Sequence, residues 1–123
     1  MRLAAAALAL AAIAAPAAAQ GPNTVFGPGV QTCAQFVASF QNGRREGFRT
    51  WTLGFISALS RDANTGMGRY DRFTRRFQAE VYAARGGYET FEARLRARCR
   101  KAGAISYEEA VWREVLAMNG EPI

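Results

Sequence analysis

Apolar residues along this chain return every third or fourth position, and no stretch alternates over the length of a strand. Thr32 stands as an N-cap, with Gln35 three residues on to complete a capping box. Cys33, Phe36, Val37 and Phe40 then share one helical face, and Asn42-Gly43 ends the helix. Arg44 to Gly47 make a short polar connection, which favours an antiparallel neighbour. Arg49 to Leu59 follows as the most apolar run outside the N-terminal segment. Trp51, Phe55 and Leu59 fall four apart, Phe48 lies a turn earlier, and Leu53 and Ile56 widen the face. This pattern predicts the central helix of a bundle. Gly54 lies inside it, and a helix-interior glycine costs about 1 kcal/mol against alanine. Gly54 is therefore expected to let another helix approach, with Trp51 and Phe55 as packing residues.

Arg61 to Gly68 lacks apolar periodicity and predicts a loop. Tyr70, Phe73, Phe77, Val81 and Ala84 then form a stripe that predicts a helix over 71–84, with Asp71 and Arg75 spaced to pair. Arg85-Gly86-Gly87 ends it, so 61–87 is expected to be a loop-helix excursion from the bundle. Tyr88, Phe91, Leu95, Cys99 and Ala102 make the next stripe, with Glu92 and Arg96 spaced to pair, and Gly103 stops it. Ser106 with Glu109 reads as a second capping box. Tyr107, Val111, Val115 and Met118 run along the last helix, with Trp112 and Leu116 as an adjacent rail. The prediction is an all-α bundle of four to five helices, a single domain over 32–119.

The N-terminus changes the setting. Met1-Arg2, an apolar run to Ala15, the break at Pro16 and Ala17-Ala18-Ala19 read as a secretory signal peptide over 1–19. The run is shorter than the roughly 20 residues a membrane span needs. Residues 20–31, rich in Gly and Pro, are expected to be a flexible lead-in. Export places Cys33 and Cys99, the only cysteines, in an oxidising periplasm or outside the cell, where an even pair reads as a disulfide. The chain is strongly basic, at +6 near neutral pH, almost entirely from arginine; Lys101 is the only lysine. In an exported protein this basicity does not point to nucleic acid.

Candidate chemistry is thin. The chain has no histidine, which excludes Ser-His-Asp and Cys-His arrangements and the usual His-containing metal sites. Glu108-Glu109 and Glu89/Glu92 sit near helix starts, where acids complement the macrodipole. Arg94, Arg98 and Lys101 form one set on the fourth predicted helix, Arg96 and Arg100 another, and Arg72, Arg75 and Arg76 a cluster on the third. Two readings stay open for them: a solvated helix face, or a surface for a protein partner or an anionic envelope component. Tyr70, Phe73 and Phe77 join that candidate surface as an apolar stripe that a detached excursion would expose.

Thr32-Cys33-x-x-Phe36, Gly54-Phe55-x-x-Ala58-Leu59 and a lone Cys99 before a final helix together resemble the HdeA-like small periplasmic proteins. The resemblance is good over Thr32–Leu59 and looser over Phe91–Met118. It implies a compact helical bundle, a Cys33–Cys99 bridge and a packing contact at Gly54. The aromatic-x-x-Gly-Phe-Ile segment and the two-cysteine layout are also similar to the Rap/Tai-type immunity proteins of secretion systems. The functional expectation is a non-enzymatic exported binding or protective protein, chaperone-like toward protein clients, needing no cofactor and acting as a monomer or homodimer. The alternative is an immunity-type inhibitor that binds a toxic enzyme.

Overall fold

A computed structural model describes residues 27–62, 68–83 and 87–123. The predicted signal peptide, the first part of the lead-in, the middle of the predicted 61–68 loop, and Ala84 at the end of the predicted 71–84 helix with Arg85-Gly86 lie outside the described residues. Those described form an all-α bundle: α1 (Cys33–Asn42), α2 (Arg45–Asp62), α3 (Asp71–Gln78), α4 (Tyr88–Lys101) and α5 (Tyr107–Asn119). Gly27–Val30 is a short 3-10 turn, not an extended lead-in; it packs on α2 and α5 and buries Gly29. The π-helical turn Ala79–Ala83 continues α3.

The start of α1 shows how local chemistry becomes architecture. A helix N-terminus leaves its first backbone N–H groups without intrahelical partners. Here the Cys33 and Ala34 amides donate to the carbonyls of Ile105 and Gly103 at 2.9 and 3.0 Å, and the Gln35 amide donates to the Thr32 hydroxyl at 3.2 Å. The Gln35 side chain closes the predicted capping box on the Thr32 amide. The Tyr107 amide returns a bond to the Gln31 carbonyl at 2.7 Å. The α4–α5 connection is thus laced to the start of α1, and the Cys33–Cys99 disulfide lies beside this seam with its Cα atoms 4.7 Å apart. Closing a loop of 66 residues stabilises a chain by about 4 kcal/mol through loop entropy.

The hub is α5, not α2. Tyr107, Ala110, Val111, Val115 and Met118 of α5 are buried; α1, α3 and α4 pack on it, and α2 reaches it through the side chains of Phe48, Thr52 and Phe55. Tyr107 is central to an aromatic cluster, with its ring 4.6 Å from Phe36 and 4.8 Å from Phe48. Helix α2 begins at Arg45, inside the predicted connection, and buries Phe48, Thr52 and Ile56. Trp51, Phe55 and Leu59 ride on its half-buried flank. Gly54 faces outward with nothing within 4 Å of where its Cβ would stand, so the expected close helix approach there does not occur. The polar-looking Thr52 takes the inner position because its hydroxyl is satisfied by the Phe48 carbonyl and by Tyr107.

Helix α3 lies on the bundle and does not stand off as an excursion. Phe73 and Phe77 are buried, with Phe77 at 5.2 Å from the Phe91 ring. The Phe73 amide donates to the Asn119 side chain at 3.1 Å. Periodicity alone shows that such a stripe seeks burial but not which neighbour supplies it.

Candidate functional site

The predicted partner surface is largely taken apart by the fold. Phe73 and Phe77 belong to the core. Arg76 donates to the Met118 carbonyl at 3.0 Å, and the Arg72 guanidinium lies against Gly120, the C-cap of α5. Both cations therefore serve the C-terminal, partially negative end of α5. Arg94 donates to Glu114 through Nε and to Glu80 through Nη2, each at 2.6 Å, and Arg98 donates to the other Glu114 oxygen at 3.0 Å. This chain of charges clamps the π-turn, α4 and α5 around the buried Glu114 carboxylate. Burial lowers the Arg94 pKa, but Glu80 and Glu114 outweigh it and leave the guanidinium raised. Of the predicted cations, Arg72, Arg75, Arg76 and Lys101 are exposed, and among the described residues Arg75 and Lys101 form no ion pair.

The predicted in-helix pairs also resolve differently. The Glu92 carboxylate does not meet Arg96. It accepts from Arg45 Nε at 2.9 and 3.1 Å and pairs with Arg45 Nη2 as well. Asp71 and Arg75 form no ion pair. At the start of α5 only half of the second capping box forms: the Glu109 amide donates to Ser106, while its carboxylate accepts from Arg113 at 2.8 Å. Burial, then the Glu109 charge, raises the Glu108 carboxyl. Among the described residues no group of His, Cys, Asp and Glu is placed to hold a metal ion, and no helix is long and apolar enough to cross a membrane.

What the fold does assemble is an aromatic ribbon across α2, α5 and the start of α3. Trp51 and Phe55 stack at 5.4 Å, Phe55 meets Trp112 edge-on at 5.3 Å, and Trp112 meets Tyr70 at 5.3 Å. Each ring is half-buried, packed below and reachable from outside. Arg69, whose guanidinium sits 5.6 Å from the Tyr70 ring centre and whose side chain is 71 % exposed, stands at its edge. Such packed, partly exposed rings are well suited to anchoring a partner, since Trp and Tyr dominate the energetics of many interfaces. The sequence carried the signal in two rails, Trp51/Phe55/Leu59 and Trp112/Leu116, but not that these rails meet at the surface.

Set against known proteins, the chain matches no family model, and neither a curated protein nor a solved structure matches it.

Proposed function

We propose that this chain is an exported, HdeA-like binding protein, without catalytic activity, that holds a protein partner on the ribbon of Trp51, Phe55, Trp112 and Tyr70. The continuity of these half-buried rings carries the reading. The rings are half-buried and packed against the core, so little side-chain entropy is left to lose on binding. Arg69 gives the Tyr70 end of the rim an exposed positive charge that favours a partner acidic beside its own contact patch. Photo-crosslinkers placed at position 112, and at exposed Gln41 as a control, test this in the producing cell. Crosslinks to protein at 112 well above those at 41 are expected, and equal yields would overturn the reading. One dominant adduct identifies a dedicated target, as an immunity-type inhibitor has; a spread of adducts identifies a chaperone-like protein with many clients.

A further inference from the structure

Glu92 stands one helical turn before Arg96 on α4, the spacing at which the two ordinarily pair. Arg45 of α2 takes the Glu92 carboxylate instead. Arg96 is left with no ion pair and no side-chain hydrogen bond among the described residues, and its Nε is buried without an acceptor. Its guanidinium is nonetheless held in place, 4.0 Å from the centre of the Phe40 ring. One further turn along α4 stands Arg100, exposed and also without an ion pair. Like charges at this spacing destabilise a helix unless an anion comes between them. Both arginines open into one cavity of about 380 Å³, floored by Phe40, Ala93 and Ala97.

We propose that this face of α1 and α4 is a seat for the carboxylate of an acidic peptide, held between Arg96 and Arg100 over Phe40. The ring fixes the guanidinium plane, as a forked, two-bond contact to a carboxylate requires. Arg45, Glu89 and Glu92 line the same cavity; Glu92 is buried in its pair with Arg45, whereas Glu89 is exposed with only Arg49 at 3.6 Å. The Glu89 charge repels a phosphate dianion more strongly than a single-charged carboxylate, which selects the latter. The seat shares no residue with the aromatic ribbon, so it stands whether or not that surface binds a protein.

Titrating the isotopically labelled, disulfide-intact protein with an end-capped tetraglutamate peptide tests the proposal. The Arg96 side-chain Nε–H resonance should move in a saturable way at low salt. Capped tetraglutamine should leave it in place, and inorganic phosphate should bind more weakly. R96A should weaken tetraglutamate binding roughly tenfold or more, the worth of one lost charge-assisted hydrogen bond. R96K, which keeps the charge but not the fork, should recover only part of it. R100A, at an exposed position that leaves the fold intact, should also weaken binding, whereas R75A should not. An unmoved Arg96 resonance, or unchanged binding in R100A, overturns the seat. Equal or tighter binding of phosphate overturns its carboxylate selectivity.

Discussion

The Thr52 and Tyr107 hydroxyls meet 2.6 Å apart between α2 and α5, in the buried centre of the bundle. Thr52 has a single proton, and that proton goes to the Phe48 carbonyl at 2.8 Å, so Tyr107 is the donor between them. Thr52→Val removes the acceptor and strands the phenol, which should cost about 1–3 kcal/mol. Tyr107→Phe removes only the donor and should cost about 1 kcal/mol. The double variant should be more stable than the sum of the two losses implies, as a double-mutant cycle in urea can show. Strict additivity would mean that the hydroxyls do not interact.

The same hydroxyls set a limit at alkaline pH. Burial raises the phenols of Tyr107 and Tyr88 above their ordinary value; the Tyr88 hydroxyl is buried beside the pair without reaching hydrogen-bond geometry. A raised phenol favours the neutral form in the fold, so its contribution is complete below the unfolded value near 10 and is lost as pH rises beyond it. Stability should fall above that pH by about 1.4 kcal/mol per unit for each phenol that stays protonated. Tyr107→Phe should flatten the decline, measured as urea midpoints against pH. An unchanged slope would place the ionising group elsewhere.

The helices, their caps and the cysteine pair were legible in the sequence because each depends on neighbours within a turn. The partners of long side chains were not. Arg45 takes Glu92 across 47 positions, and Arg94 reaches both Glu80 and Glu114. Helical spacing proposes Glu92–Arg96, yet a guanidinium arriving from another helix with two bonds wins the carboxylate. Burial order within α2 was hidden for a similar reason. Hydropathy favours Trp51 and Phe55 for the inside over Thr52, and only the Tyr107 hydroxyl across the interface explains the exchange.

Gly54 makes a sign prediction. It lies mid-helix and exposed, at an ordinary helical conformation, with open space where a Cβ would go. Gly54→Ala should therefore raise stability by about 0.5–1 kcal/mol, through better helix propensity and a less flexible unfolded chain. A loss on thermal unfolding would show that another helix does approach this position.

The Arg45–Glu92 pair should respond unequally to losing either partner. The Glu92 side chain is 2 % exposed and that of Arg45 is 41 % exposed. Arg45→Ala leaves a carboxylate buried and unpaired and should cost about 2–3 kcal/mol, below the full buried-pair value because water reaches the arginine side. Glu92→Gln leaves a guanidinium that can turn to solvent and an amide that still accepts, and should cost about 1 kcal/mol. Urea midpoints decide the order. If Glu92→Gln proved the more damaging, the carboxylate would be serving something besides Arg45.

The disulfide and the backbone seam beside it divide the labour of holding α1, and removing the bridge separates them. Reduction, or the Cys33→Ala/Cys99→Ala variant, should lower stability by about 4 kcal/mol, because the freed 66-residue loop gains entropy in the unfolded chain. The native contacts should survive. The amides of Cys33, Ala34 and Tyr107 still have the carbonyls of Ile105, Gly103 and Gln31 to donate to, and those bonds need no sulfur. Far-UV circular dichroism should stay unchanged below the lowered melting transition. Hydrogen exchange at positions 33, 34 and 107 should remain slow relative to the exposed amides of the chain, limited only by the smaller global stability. Fast exchange confined to these amides, with the rest still protected, would show instead that the bridge positions the α4–α5 connection.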